Sequence, residues 1–298
     1  MKVLVTGASG QLGNELRRLF DTGMAEIGPI SAEFVGAEVV YTDTPQLDIT
    51  DAQAVDAFIG EGAFDLVINC AAMTNVDGCE AHEDVADLVN AHGAENLARA
   101  TAKAGIPLIH TSTDYVFPGS QAGDRVESDA PDPISAYGRS KLKGERVVAA
   151  ANSKHHIVRT AWLYGYVGKN FAKTMMRLAE RHDEVTVVDD QLGNPTSAND
   201  LAYEILKIAL TDDYGIWHVT NEGTCSWADF AEAVLADTGC TVRRCDSQEY
   251  KAAHPESADR PAFSSLRNKH LEDTIGNEMR PWQEALASYL TNLPELKD

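Results

Sequence analysis

The chain has 298 residues, 46 of them acidic and 25 basic, for a formal net charge of −21. That length suits one large domain or two lobes sharing a cleft, and a composition of 44% hydrophobic and 24% charged residues is globular rather than disordered. The acidity, −13 over residues 1–150 and −8 over the rest, argues against nucleic acid and anionic membrane surfaces as partners and poses the question of how such a chain holds an anionic ligand.

The first strand is expected at Lys2–Thr6, an apolar run ending at Gly7; it is too short for a signal peptide. Leu12, Leu16, Leu19 and Phe20 share one face of a helix. A strand follows at Val39–Tyr41, and Thr50, Asp51 and Gln53 signal the capped start of a helix to about Ile59. Leu66–Asn69 reads as a third strand. One helix is expected from about Asp84 to Ala104, stopped at Gly105 with Pro107 barring continuation. Pro107–Thr111 reads as a fourth strand, 118–133 as a surface loop, the stretch from about Ser135 as a helix, and His156–Arg159 as a fifth strand.

Repeated βα units imply a Rossmann-type α/β fold: a doubly wound parallel sheet whose ligands bind beyond the carboxyl ends of the strands. Residues 1–160 are expected to form the dinucleotide-binding domain. Residues 161–298 are expected to form mainly a smaller substrate-binding lobe, with some segments returning to the first domain. Strands are expected there at 185–188 and 216–219, a helix at 226–237 and a loop at 254–261. No window has the apolar length of a membrane span. Cys70, Cys79, Cys225, Cys240 and Cys245 form no CxxC and no zinc-type spacing, which fits reduced thiols in a cytoplasm.

Gly7-Ala-Ser-Gly10-Gln-Leu-Gly13 joins the first strand to the first helix. Gly7 permits the tight turn, Gly10 lets backbone approach a pyrophosphate, and Gly13 allows close helix–strand packing. A helix N-terminus then presents free N–H groups to phosphate, so an acidic chain can bind an anion without lysines. The spacing is GxxGxxG, and there is no GK[ST] of a Walker loop. Asp43, after the second strand, is placed to bond the adenosine ribose and favours NAD by repelling the extra phosphate of NADP; the alternative is a solvated turn carboxylate. Asp48 either accepts from the adenine amino group or caps the helix that follows.

Tyr137 and Lys141 stand four apart at the start of a helix, so phenol and ammonium can enter one site. A lysine beside a tyrosine is expected to lower the phenol pKa from about 10, making it a proton donor or acceptor. Thr111, Ser112 and Thr113 close the fourth strand, where a hydroxyl can bond the carbonyl oxygen that Tyr137 protonates; local backbone capping is the alternative use.

TGxxGxxG, Ser112–Phe117 (STDYVF) and YGxxK together resemble the extended short-chain dehydrogenase/reductase superfamily, and within it the dTDP-4-dehydrorhamnose reductase family. Further segments agree: Asn69–Thr74 with Val76, Asp77 and Glu80, Arg159–Tyr164, Asn170-Phe171, Asp190–Thr196, and Arg260-Pro261 before Ser264. The resemblance implies an NADPH- or NADH-dependent oxidoreductase acting on a nucleotide sugar: reduction of the C4 keto group of dTDP-4-dehydrorhamnose to dTDP-L-rhamnose. It implies Tyr137 as general acid, Lys141 bonding the nicotinamide ribose, and Thr113 orienting the carbonyl. By the same resemblance Gly10, Gln11 and Leu12 touch the pyrophosphate. Asp43, Asp48 and Ile49 meet the adenosine side, and Ala72, Met73, Thr74 and Thr111 meet the rest of the cofactor. Asp114, Trp162 and Arg260 would contact substrate; plain packing for Trp162 and a surface ion pair for Arg260 are the alternatives. Some family members bind Mg²⁺ between subunits through clustered glutamates. Glu15 is a candidate ligand, but Asn199 stands where a second carboxylate is expected, which argues against a metal and leaves monomer or homodimer open.

Related nucleotide-sugar dehydratases follow the catalytic Thr with Asp-Glu. Here Asp114-Tyr115 follows Thr113, so elimination lacks its base. A sugar epimerase or another nucleotide-sugar reductase is a further alternative. The regulatory subunit of eukaryotic methionine adenosyltransferase resembles the same family and acts by binding a partner protein. That non-catalytic reading is compatible with Tyr137 and Lys141 but leaves Trp162 and Arg260 without a role.

Overall fold

The computed structural model describes residues 1–293. In β1 (Lys2–Thr6), Val3, Leu4 and Val5 are fully buried, as a strand apolar on both faces must be inside a parallel sheet. α1 (Gln11–Thr22) buries Leu12, Leu16 and Leu19 and ends at Gly23, in the left-handed region, whose N–H reaches the Leu19 carbonyl. β2 (Glu38–Thr42) leads to α2 (Ala52–Gly62), capped by Asp51, which accepts from the Gln53 and Ala54 amides. β3 (Leu66–Asn69) is buried throughout.

The single helix expected over 84–104 is interrupted. α3 (Val76–Ala81) and α4 (Glu83–Asp87) lead into a π-helical turn at Leu88–Gly93 before α5 (Ala94–Ala104). The turn aims the buried Asn90 amide at Met73, accepting from its N–H at 2.8 Å and donating to its carbonyl at 3.0 Å; the same amide donates to Ser140 Oγ at 2.9 Å. One wider turn moves the apolar phase by about one residue, a shift too small to mark the turn in the sequence pattern. β4 (Leu108–Thr113) extends two residues beyond the expected strand, and α6 (Ala136–Ala151) is capped by Ser135 and followed by β5 (His155–Thr160).

The second half contributes β6 (Leu163–Tyr164), α7 (Phe171–Ala179), β7 (Glu184–Val188), β8 (Leu192–Gly193), β9 (Thr196–Ser197), α8 (Ala198–Ile208) and β10 (Gly215–His218). β11 (Cys225–Ser226), α9 (Trp227–Leu235), β12 (Thr241–Cys245), α10 (Ser247–Ala253), α11 (Lys269–Asp273) and α12 (Trp282–Asn292) complete it. The main sheet is parallel, in the order β10-β5-β4-β3-β1-β2. β10 and α8 thus belong with the first sheet: β10 extends its edge, and α8 packs its Leu201 and Ile205 into the core that holds Leu12 and Leu16. Tyr164, Phe230, Trp282 and Tyr289 build a second core beneath α7, α9 and α12. β2 and β3 flank β1 on opposite sides, so the chain reverses its winding there and opens a crevice at the carboxyl ends of β1 and β3. No helix among the described residues is long and apolar enough to cross a membrane.

Candidate active site

The crevice holds two connected chambers that share Gly10, Cys70 and Ala72. The first, about 290 Å³, is lined by Gly7, Asp43, Asp48 and Ile49 among others. Gly7 sits at φ 65°, and a Cβ there would lie 2.5 Å from the Ala71 nitrogen; a Cβ on Gly13 would lie 2.6 Å from the Ala8 Cα. The loops after β1 and β3 and the first turn of α1 therefore close together only through glycine. The N-cap is Gly10, which has no side chain to spend on the first N–H groups of α1, leaving them for an anion. Asp43 accepts from the Ser9 N–H at 3.1 Å, fixing the end of β2 to the glycine loop. Asp48 accepts from the Thr50 N–H at 2.9 Å and hydroxyl at 2.7 Å, so it structures the approach to α2 while also lining the chamber. This cradle fits the adenosine and diphosphate of a dinucleotide.

The second chamber, about 570 Å³, brings together Gln11, Leu12, Thr74, Thr111, Thr113, Asp114, Tyr137, Lys141 and Trp162. Lys141 is buried, and its Nζ donates to the Thr111 carbonyl at 2.6 Å. Thr113 Oγ1 donates to Asp114 Oδ1 at 2.9 Å and accepts from the Tyr115 N–H at 3.2 Å, so it caps local backbone while facing the chamber. Tyr115 packs edge-on against Tyr137 with ring centroids 5.8 Å apart. Met73 lines neither chamber; its backbone is gripped by Asn90.

The expected lowering of the Tyr137 phenol by Lys141 is not what the chain's own groups produce. Burial pushes the phenol above its ordinary value, the Thr113 hydroxyl draws it partly back, and Asp114 and Cys79 add to the rise. Burial pushes Lys141 itself down to about 8 against the pull of Glu145. A phenol kept protonated is the form a proton donor requires. Burial also pushes the Asp114 carboxyl up to about 7, against hydrogen bonds from the Ser264 and Thr113 hydroxyls.

The opposite wall is aromatic. Trp162 adopts φ 47°, an unfavourable conformation for a bulky residue, and stacks on Trp227, which Phe171 backs at 4.5 Å. Arg260 lies outside the lining, a quarter exposed, paired with Asp77 at 3.2 Å; its charge also reaches the Tyr115 hydroxyl. Glu15 is buried, and its Oε2 accepts from Asn199 Nδ2 at 2.8 Å with Arg18 at 3.5 Å. An amide and a guanidinium lie against that one oxygen, and no cluster of three or more potential metal ligands occurs among the described residues. Asn90 behind Met73, and Lys169 and Trp227 in the lining of the second chamber, were not singled out from the sequence. Trp227 carried one readable signal, a large aromatic directly after the capping residue Ser226 of α9.

The comparisons with known proteins agree over the whole chain. A family model described as the RmlD substrate binding domain matches residues 1–294. A dTDP-4-dehydrorhamnose reductase of Mycobacterium tuberculosis is 40% identical over 295 residues, covering 97% of this chain and 92% of that protein. The crystal structure of a dTDP-4-dehydrorhamnose reductase of Clostridium acetobutylicum superposes with a TM-score of 0.91 at 44% identity, covering 99% of this chain and 100% of that one. Another from Bacillus anthracis, in complex with NADP, superposes at 0.88 with 37% identity, covering 98% and 99%. The chain belongs to the dTDP-4-dehydrorhamnose reductase family.

Proposed function

We propose that this protein reduces the C4 keto group of dTDP-4-dehydrorhamnose to dTDP-L-rhamnose with NAD(P)H. The observation that carries the reading is the meeting of Tyr137, Thr113 and Lys141 in one chamber continuous with the glycine-loop cradle. The reduced nicotinamide supplies the hydride. Tyr137 gives its phenolic proton to O4, and Thr113 orients the carbonyl. Lys141 bonds the nicotinamide ribose, turning its ammonium from the Thr111 carbonyl. Gly10, Gln11 and Leu12 hold the cofactor diphosphate, Asp43, Asp48 and Ile49 its adenosine, and Ala72, Thr74 and Thr111 the remainder, with Met73 shaping the groove through its backbone. Asp114 and Trp162 contact the sugar, and Arg260 exchanges Asp77 for the substrate diphosphate.

The charge puzzle resolves locally: backbone amides and a few cations hold the two diphosphates, and the net charge of −21 stays peripheral. NADP in the Bacillus anthracis relative supports a phosphorylated cofactor, whereas Asp43 favours NAD, so both belong in the assay. A cytoplasmic setting is part of the reading, because the five cysteines are free thiols. Purified protein should oxidise NADPH or NADH only when the 4-keto sugar nucleotide is added. Oxidation independent of the sugar, or none in its presence, contradicts the reading.

A further inference from the structure

Three consecutive residues of β4 are tied to three residues of α6 spaced four apart. The Thr111 carbonyl accepts from Lys141 Nζ at 2.6 Å, Ser112 Oγ donates to Glu145 Oε1 at 2.6 Å, and the Thr113 hydroxyl meets the Tyr137 phenol. Positions 137, 141 and 145 share one helix face. The outer ties involve the reacting pair; the middle one ends on a carboxylate to which the proposed reaction gives no role.

Glu145 is 3% exposed, with one cation, Arg159, paired to it and a second one helical turn away on the same face of α6. Arg159, beside Ser112 in the sheet register, donates Nε to Oε1 at 2.8 Å and Nη2 to Oε2 at 2.7 Å. Its Nη1 lies 3.4 Å from Nε2 of His218, the next residue along the same row. Burial and Arg159 push His218 down to about 3, so it stays neutral. The second cation is Lys141. The groups facing it are Tyr137 and Glu145 on α6, His110 and the Thr111 carbonyl on β4, and Cys70 after β3. Burial holds His110 neutral and pushes the Cys70 thiol up to about 12. Glu145 is thus the only carboxylate among these groups. A guanidinium keeps its proton in any accessible range, whereas a buried lysine gives its proton up. Loss of the carboxylate therefore falls on Lys141.

We propose that Glu145 is a positioning residue for the reduction: it pins α6 to the catalytic end of β4 through Ser112 and supplies the negative charge that keeps Lys141 an ammonium, with Arg159 competing for that charge. This rests on the reading of Tyr137 and Lys141 as the reacting pair.

The test is the pH profile of kcat/KM, measured with cofactor and the 4-keto sugar nucleotide. The limb near pH 8 is the one assigned to Lys141, above the Asp114 carboxyl at about 7 and below the Tyr137 phenol, which titrates higher; Asp114→Asn removes the Asp114 step from the profile and leaves the Lys141 limb. Glu145→Gln should move that limb acidward by about one unit, roughly a tenfold loss at a pH above it, and Glu145→Asp should restore part of the shift. Arg159→Met leaves the whole carboxylate to Lys141 and should move the limb the opposite way. A merely structural role lowers Tm in both variants and leaves the limb in place. The double variant Glu145→Gln/Arg159→Met removes the unpaired guanidinium and should keep the acidward shift; if neither Gln variant folds, the alkaline shift of Arg159→Met decides alone. An unmoved limb, or shifts of the same sign in the two single variants, overturns the proposal. If Lys141→Met abolishes turnover while these limbs stay put, only this inference fails; if the wild type does not turn over, the reading of the site fails.

Discussion

Trp162 and Trp227 lie face to face, ring centroids 3.5 Å apart and planes within 5°, joining the loop after β5 to the first residue of α9 across the cleft. Gly193 on β8 is what lets the first indole sit there, because a Cβ would come within 2.5 Å of Trp162 Cε2. Gly193→Ala should displace the aromatic wall and raise the KM for the sugar nucleotide about tenfold, with the cofactor KM unchanged. Parallel initial-rate measurements in each substrate check this. An unchanged sugar KM removes Trp162 from the substrate wall.

Gly13→Ala tests the cradle. Its Cβ would meet the Ala8 Cα at 2.6 Å and the Gly7 carbonyl at 2.7 Å, so α1 must shift away from β1. Overpacking of this kind costs about 1–3 kcal/mol, and the displaced helix N-terminus should weaken cofactor binding at least tenfold. Thermal unfolding and a fluorescence titration with NADPH read the two effects. Wild-type values in both would mean that the close approach is not needed.

Much of this architecture was legible in the sequence, for reasons particular residues make plain. Val3–Val5 and Leu66–Ile68 are apolar on both faces, which only a strand covered on both sides tolerates. The glycine loop declared itself because no side chain fits at Gly7 or Gly13. The π-helical turn at Leu88–Gly93 stayed hidden, since it inserts backbone without changing composition. α8 was missed because Ala198–Ile208 is largely buried, Asp200 and Glu204 included: its acidic residues point inward, to Arg280 and Lys207. The electrostatics of Tyr137 were misjudged, because spacing along a helix brings Lys141 near but does not reveal burial or where the ammonium turns.

Asp114 gives a pH signature in stability. Its folded-state pKa is raised to about 7 by burial, so the folded protein holds this proton more tightly than the unfolded chain. That contribution is complete below the unfolded value of about 3.9, declines as the unfolded chain ionises, and is gone once the pH has risen through about 7. Asp114→Asn keeps a neutral group throughout. The Tm of the variant relative to wild type should therefore rise by several degrees between pH 5 and pH 7 and then level off. A constant difference across that window contradicts the assignment.

Tyr137→Phe removes the proposed proton donor and little else, because the ring still packs against Tyr115. kcat should fall by a factor of about 10²–10⁴, the usual contribution of a positioned acid, while NADPH binding stays near wild type. Loss of cofactor binding instead would make the tyrosine a binding group and reassign the acid.

The most direct test of the central claim is the identity and stoichiometry of the product. Wild-type protein incubated with NADPH, then with NADH, and dTDP-4-dehydrorhamnose should form dTDP-L-rhamnose, identified by NMR, one for each cofactor oxidised. Cofactor bound without turnover, or a 4-hydroxyl of the opposite configuration, would contradict it.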